Sequence, residues 1–268
     1  MAPHTPHKQP KAANPAYAAR GRAVTVPPFT TQRYGPQGLS LVTTTRGCYA
    51  QTHRLPVSMG GRSKVTFKLI GGHPAVDFVN TVGGFEPALV ELLPGYADLV
   101  AWAEQAGLIT DDHAARLRRV AECEPGAAAA TLSAARRLRA DLDAVIRAEL
   151  AGGAPAEDHL EAIRDAYLAA LAHARLTRRS AYGWQWPASS ADPDSVLWPV
   201  ARQAVDLLSM TDLTRLAECS TVNCRWIYLD RTKNHNRRWC SDDTCGASAR
   251  MRRYRATQRH RAPAARSE

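Results

Sequence analysis

The sequence predicts a mainly α-helical, α+β protein with a few short strands, followed by a small four-cysteine module built of a β-hairpin and a helix. Three observations support this fold class. Apolar residues recur with the helical period through most of residues 74–210. Only a few short runs are rich in β-branched and aromatic residues. Four of the six cysteines lie in two pairs near the C-terminus.

The N-terminal residues 1–64 predict a disordered basic tail. Residues 1–68 carry ten Lys or Arg and no Asp or Glu, and the first 64 include eight prolines without any apolar period. Such a segment cannot bury enough apolar surface to offset its ordering entropy. A transit peptide would share this composition, but the prolines oppose the amphipathic helix that it needs. A second hypothesis is that translation begins at Met59, where the composition changes abruptly.

Residues 65–210 predict one helical domain. We expect a short strand at residues 65–70 and a short helix in HPAVDFVNTV. Longer amphipathic stripes predict helices in GYADLVAWAEQAGLI, TDDHAARLRRVAEC, ATLSAARRLRADLDAVIRAEL, APAEDHLEAIRDAYLAALAHA and DPDSVLWPVARQAVDLLSM. Thr110 and Asp192 are the expected N-caps of two helices, and Pro199 is expected to kink or restart the last one. The segment LTRRSAYGWQW predicts a hairpin edge.

The helical domain carries no signature of an enzyme. It has no G-x-S-x-G, no H-E-x-x-H and no Gly-rich phosphate loop, so we expect no catalytic activity. Three histidines lack metal-ligand spacing and are expected at the surface or in helix caps: His113, His159 and His173. Three tryptophans could line a pocket, although residues at such spacings more often pack in a core: Trp184, Trp186 and Trp198.

The paired cysteines have the spacing of a metal site. Four residues separate Cys219 from Cys224, four separate Cys240 from Cys245, and fifteen lie between the pairs. Two close pairs joined by such a segment are what a tetrahedral four-thiolate zinc site needs. RWIYL predicts a strand, DRTKNHN a polar turn, and RRW leads back to the second pair. The expected structure is a hairpin with a cysteine pair at its open end.

The small size of this module explains why a metal would be needed. About 43 residues with few apolar side chains rarely fold without a metal, disulfides or a partner. A structural zinc ion supplies on the order of 10–16 kcal/mol of apparent binding free energy to such peptides. We therefore predict one structural Zn²⁺. Disulfides are the alternative in an exported chain, and Asp242, Asp243 and His235 are the alternative ligands.

An arginine run follows the last cysteine. ASARMRRYRATQRHR can form a helix of about four turns, whose stripe of Ala247, Met251, Tyr254 and Gln258 could rest on the hairpin. Residues 211–268 carry a net charge of +7 and residues 69–210 one of −7, so the end of the chain suits nucleic acid. The arginines expected to contact phosphates are Arg237, Arg238, Arg250, Arg252, Arg253, Arg255 and Arg259. The alternative is a solvated tail without a partner.

Several stretches resemble a known two-domain family. DLTRLAECSTVNCRWIYLDRTKNHNRRWCSDDTCGASARMRRYR resembles the CGNR zinc finger, with RRWC and CG as landmarks. GGHPAVDFVNTV, YADLVAWAEQAGLI and VLWPVARQAVDLLSMTDLTRLAEC are similar to the ABATE domain that usually precedes this finger. The resemblance covers roughly residues 65–258. It implies zinc on Cys219, Cys224, Cys240 and Cys245, and DNA contact by the C-terminal module.

One departure from the family pattern concerns the residues that follow the CG landmark. The Asn-Arg of the family's name is replaced by Ala247-Ser248. The metal ligands survive this change, whereas any contact made by the missing pair is lost. Arg250 is the candidate to replace part of the lost charge.

The sequence thus predicts four regions: a disordered basic tail (1–64), an ABATE-like helical domain (65–210), a CGNR-type finger (211–262) and a short disordered tail (263–268). The resemblance implies a bacterial transcriptional regulator that responds to stress or to a ligand, and we expect this regulator to be cytoplasmic and to bind DNA. The alternative is a zinc-dependent RNA-binding or protein-interaction module without sequence-specific DNA binding. No membrane contact is expected, because no run of 18 apolar residues occurs. A homodimer and a small-molecule ligand of the helical domain are left open.

Overall fold

The computed structural model of the protein describes residues 66–178, 181–210 and 212–261, without the side chains of residues 210 and 259–261. This part of the chain contains seven α-helices and three antiparallel pairs of short strands. The predicted mainly helical α+β class is therefore confirmed. The predicted tails at residues 1–64 and 263–268, and the proposed start at Met59, lie outside the described residues.

The helices and strands follow one another in a simple order. The first hairpin and its preceding helix are α1 (Pro74–Val79), β1 (Val82–Phe85) and β2 (Ala88–Glu91). Four helices follow: α2 (Tyr96–Gln105), α3 (Asp111–Cys123), α4 (Pro125–Leu150) and α5 (Glu157–Ala172). The second hairpin and the sixth helix are β3 (Arg175–Arg178), β4 (Tyr182–Gln185) and α6 (Leu197–Met210). The C-terminal elements are β5 (Leu216–Glu218), β6 (Ile227–Leu229) and α7 (Ala247–Arg261).

The core is formed by the apolar stripes of the helices. The Phe78 ring on α1 and the Trp102 ring on α2 meet with their centroids 5.1 Å apart. The large side chains that are fully buried with them on the helices are Leu99, Leu117, Leu142, Ile146 and Leu207. Helix α5 packs against α4 and α6. The helical periodicity of the sequence therefore identifies the inward faces correctly.

The predicted caps and the proline restart are also present. The Thr110 hydroxyl accepts a hydrogen bond from the amide of His113 at the start of α3. The Asp192 carboxylate caps a 3₁₀ turn, Pro193–Val196, and α6 begins directly after it. Pro199 thus lies in the first turn of α6, where its missing N–H has no intrahelical acceptor.

The strand predicted at residues 65–70 is wrong where the structure describes it. Residues 66–70 belong to no strand. The amide and the carbonyl of Phe67 pair instead with the side chain of Gln105, at 2.9 and 2.6 Å. An alternating apolar pattern indicates an extended chain, but a strand also needs a neighbouring strand for its backbone groups.

The hairpin of β5 and β6 extends the core of the helical domain. Leu216, Ile227 and Leu229 are buried in the same apolar cluster as the helices. The amide of Leu229 donates to the carbonyl of Gly71 at 2.7 Å. A Cβ at Gly71 would lie 2.9 Å from the backbone nitrogen of Asp77, so the close approach of Gly71 to α1 requires glycine.

Candidate metal centre

The four paired cysteines come together in the described structure. Their sulfur atoms all lie within 4.8 Å of one another, and all four residues are buried. Three of the Sγ–Sγ distances are 3.6 Å (Cys240 to Cys245), 3.8 Å (Cys224 to Cys245) and 3.9 Å (Cys224 to Cys240). A tetrahedral zinc ion with Zn–S bonds of about 2.3 Å requires sulfurs about 3.8 Å apart. The cluster therefore fits one structural zinc ion, which would have four thiolate ligands.

Short local structures place each sulfur. Cys219 follows β5, and Cys224 lies in the turn before β6, where Asn223 adopts a positive φ of 63°. Asparagine tolerates this left-handed conformation better than most residues. Cys245 lies within a single π-helical turn, Asp242–Gly246, which Ser241 caps and which leads directly into α7. The metal site is therefore adjacent to the start of the arginine helix.

The electrostatics of the cluster favour a bound cation. Burial is the largest cause that raises the pKa of the Cys224 thiol, to about 12, and the hydrogen bond and charge of the neighbouring Cys219 raise it further. Burial and the neighbouring Cys224 raise the pKa of Cys240 as well. Burial opposes ionisation of Cys219 too, but hydrogen bonds from the backbone of Cys240 and Thr221 lower its pKa to about 7. Four thiolates at this spacing repel one another, and a divalent ion offsets that repulsion.

The strand predicted in RWIYL pairs with a different segment in the structure. Ile227–Leu229 pairs with Leu216–Glu218, so that the first cysteine pair lies in the loop of the hairpin and not at its open end. Residues 230–239 form no strand. The Asp230 carboxylate accepts from Thr232 and from the amide of Arg237, at 2.8 and 3.0 Å, which orders the polar turn. Hydrogen bonds to a side chain have replaced the predicted second strand.

The hairpin is bound to the helical domain by a buried asparagine. The Asn80 side chain donates to the carbonyl of Ile227 at 2.8 Å and accepts from its amide at 3.0 Å. The first hairpin also meets the cysteine loop, because the amide of Glu86 donates to the carbonyl of Asn223 at 2.8 Å. Arg225 forms ion pairs with Glu86 and Asp143 at 2.9 and 3.2 Å. These contacts fix the cysteine loop against the helices.

The predicted phosphate-binding arginines divide into two groups. Arg237 donates to the carbonyls of Ile70, Trp239 and Cys240 at 2.6–3.0 Å, and its guanidinium lies 4.1 Å from the Tyr228 ring centroid. This set of acceptors disfavours a phosphate contact by Arg237. Arg250 donates to the carbonyl of Asp242 at 3.0 Å and so stabilises the π turn rather than simply replacing a missing charge. The other predicted phosphate-binding arginines whose side chains are described are exposed: Arg238, Arg252, Arg253 and Arg255. The side chain of Arg259 lies outside the described residues.

The apolar stripe of α7 does not rest on the hairpin as predicted. Met251 and Tyr254 are 50% and 61% exposed. The contacts of α7 are mainly with the π turn before it, and Arg253 lies 5.9 Å from the Trp239 ring centroid. The helix therefore presents apolar and basic side chains together.

The predictions for the histidines and tryptophans of the helical domain are confirmed for some residues and wrong for others. His113 was expected at the surface or in a helix cap, but its side chain is buried, with Nε2 2.9 Å from the Ser195 hydroxyl. His159 contacts Asp141 at 2.9 Å, and His173 stacks on the Trp198 ring at 4.4 Å. Trp184 and Trp186 line a cleft, and Trp198, which is buried in the core, borders a smaller cavity of about 210 Å³.

The sulfur cluster and the helical domain together define a zinc-finger protein in which the finger is joined to a larger helical domain. A family model described as "Putative stress-induced transcription regulator", the ABATE family, matches residues 72–210. A second model, the CGNR zinc finger, matches residues 215–258. The chain belongs to the ABATE family and carries a CGNR finger, as the sequence patterns indicated.

Two further findings bear on the class of protein. No curated protein matches the chain. Among the described residues, no helix combines the length and the apolar character needed to cross a bilayer. The family description points to a transcription regulator. The role of Asn80 as the residue that anchors the finger could not be predicted, because a single polar residue 147 positions from its partner produces no local pattern.

Proposed function

We propose that the protein is a cytoplasmic, stress- or ligand-responsive transcription regulator that binds duplex DNA through α7. The main support is the charge of this helix. Residues 247–261 contain six arginines and no Asp or Glu. A surface of this kind neutralises phosphates and releases their counterions, which drives binding to DNA.

The placement of α7 suits insertion into a groove. Fifteen residues at a rise of about 1.5 Å form a rod of about 22 Å, which the major groove can admit. The ligand Cys245 lies two residues before Ala247, so the zinc ion sets where the helix starts and in which direction its arginines point. The ion is proposed to be structural and not catalytic, because four thiolates leave no open coordination position.

The exposed Met251 and Tyr254 are the candidates for contact with bases. They are three residues apart on one face of the helix and are 50% and 61% exposed, so both side chains are available to a partner. In the major groove they can contact the methyl group of thymine, while the arginines on either side bind phosphates. The alternative is single-stranded RNA, for which Tyr254 could stack on an unpaired base.

The dependence of binding on salt tests the proposal. With about five phosphate contacts, log K against log salt should fall with a slope of about −4 to −5 for duplex DNA. The double variant Arg252→Gln/Arg255→Gln should make this slope less negative by about 2, because two phosphate contacts are lost. Fluorescence anisotropy with duplex DNA and single-stranded RNA of equal length, between 50 and 200 mM salt, measures both.

The matched control is Arg164→Gln. Arg164 is as exposed as the α7 arginines but pairs with Asp165 in the helical domain. Its loss should leave the slope unchanged. Binding to duplex DNA that ignores salt, or an unchanged slope in the double variant, would refute the role of α7. Tighter binding to RNA than to duplex DNA would favour the alternative.

A further inference from the structure

A cleft in the helical domain shares no lining residue with the metal centre. It measures about 550 Å³ and lies between the connection of α2 and α3, strand β4 with the loop that follows it, and the first turns of α6. Sites for small molecules typically measure about 300–1,000 Å³ and combine apolar walls with a few polar groups. The size of this cleft is therefore that of a site for a small organic molecule.

Two indole rings form its aromatic wall. Trp186 is held in place because its Nε1 donates to the carbonyl of Ala170 at 2.6 Å. Trp184, two residues earlier and on β4 itself, is 39% exposed although it is among the largest side chains of the domain. A fixed and partly exposed aromatic surface offers stacking to a planar ligand at a small cost in conformational entropy.

The buried polar pair in the lining is neutral. The Ser195 hydroxyl donates to the carbonyl of Asp192 at 2.6 Å, so the His113 imidazole is the donor in its 2.9 Å contact with that hydroxyl. Burial, followed by the positive charge of Arg116, lowers the pKa of His113. The pair therefore contributes hydrogen-bonding groups to the cleft and no net charge.

The charge of the cleft comes from Arg202. Among the described residues that line the cleft none is Asp or Glu, and Arg202 is the one cationic side chain. Its Nε pairs with Asp206 at 3.2 Å and one terminal nitrogen donates to the carbonyl of Trp184 at 3.3 Å. Among the described residues the second terminal nitrogen has no such partner. Since Asp206 offsets part of the charge, the cleft suits a single negative charge.

We infer that this cleft binds a small planar aromatic monoanion, with an aromatic carboxylate as the simplest case. The ring would stack on Trp184, and the carboxylate would accept a charge-assisted hydrogen bond from Arg202. The apolar residues of the loop after β4, Pro187 and Ala188, would cover the ring. This binding does not depend on whether α7 binds DNA, so it can fail or succeed independently of the proposed function.

A titration with matched probes tests the inference on the zinc-loaded full chain. The probes are 2-naphthoate, its neutral amide 2-naphthamide, and the non-aromatic cyclohexanecarboxylate, each followed by calorimetry. Saturable binding of 2-naphthoate is expected, with the amide and the non-aromatic acid at least about fivefold weaker, because each lacks one of the two contacts. Absence of saturable 2-naphthoate binding up to about 5 mM would overturn it, since such a site should reach at least millimolar affinity.

Three variants link the binding to the cleft. Arg202→Gln should weaken 2-naphthoate about fivefold and leave the amide unchanged. Trp184→Ala should weaken both probes. Tyr182→Ala, two residues away on the same strand and outside the lining, is the matched control and should change neither. Circular dichroism verifies that each variant is folded. Equal binding of naphthoate by wild type, Arg202→Gln and Trp184→Ala would refute the site.

Discussion

The two halves of the zinc finger are built in opposite ways. The hairpin of β5 and β6 belongs to the core of the helical domain, where Ile227 and Leu229 are buried and Asn80 holds the backbone of Ile227. Helix α7 contacts mainly the π turn before it and exposes its apolar side chains. The first half is thus stabilised by burial, and the position of the second half depends on the cysteine cluster.

This difference changes the role of the metal. The sequence alone suggested that zinc must organise all of the 43 residues from Cys219 to Arg261. In the structure the hairpin already gains apolar burial and hydrogen bonds from the helical domain. The stabilisation by zinc is therefore expected to be concentrated at Cys240, the π turn and α7.

Removal of zinc is the strongest test of this comparison. In Cys240→Ser, or after chelation, we expect loss of one zinc ion per chain and rapid hydrogen exchange along α7. In isolated finger peptides the apparent free energy of zinc binding is on the order of 10–16 kcal/mol, which is an upper limit here. The amides of Ile227 and Leu229 should stay protected, because their acceptors are Asn80 and Gly71.

The control for this variant is Lys233→Ser, an exposed position in the turn of the same module. Metal analysis should find one zinc ion per chain in the control and none in Cys240→Ser. Loss of protection in β6 together with α7 would contradict the division into two halves. Retention of the metal in Cys240→Ser would contradict the four-thiolate site.

Asn80→Ala tests the other half. Its truncation leaves the amide and the carbonyl of Ile227 buried without their partner, and each unsatisfied group costs about 1–3 kcal/mol. We expect a loss of about 2–4 kcal/mol in the free energy of unfolding, measured with denaturant on the zinc-loaded protein. Zinc content should remain one per chain.

The matched control is Asn236→Ala. Asn236 is exposed, and among the described residues it bonds with Thr232 of the same polar turn: its backbone amide donates to the Thr232 hydroxyl at 3.2 Å, and its side-chain oxygen accepts from that hydroxyl at 3.4 Å. Its effect should stay within about 0.5 kcal/mol. An equal loss of stability in the two variants would mean that Asn80 does not anchor the hairpin.

The success of the sequence-based predictions follows the same division between local and distant contacts. Helices α2 to α6 were predicted because periodic stripes and caps such as Thr110 are local signals. The cysteine spacing pointed to the four sulfurs that the structure brings together, since a tetrahedral ion imposes that spacing. Both predictions rest on constraints that act within a short stretch of chain.

The errors arose where the decisive contact is distant in sequence. β6 pairs with β5 and not with the arginine-rich segment after it, because burial of Ile227 against the helices selects the partner. The first hairpin, Val82–Glu91, was not predicted, since its glycines and proline are weak strand formers. The apolar residues of α7 have the pattern of a packed stripe, yet within the described part of the chain Met251 and Tyr254 stay 50% and 61% exposed.

Arg237 and Arg238 are neighbours in sequence and offer the finest test of the comparison. Arg237 bonds three carbonyls and stacks on Tyr228, whereas Arg238 is exposed and lies 5.8 Å from the Trp239 ring centroid. Arg237→Gln should therefore lower the free energy of unfolding by about 2 kcal/mol, because buried carbonyls lose a charged donor. Arg238→Gln should leave stability unchanged within about 0.5 kcal/mol and reduce the salt slope of DNA binding by about 1. Denaturant unfolding and anisotropy on both variants separate the two roles. A weaker salt dependence with unchanged stability in Arg237→Gln would place Arg237 in the DNA interface instead.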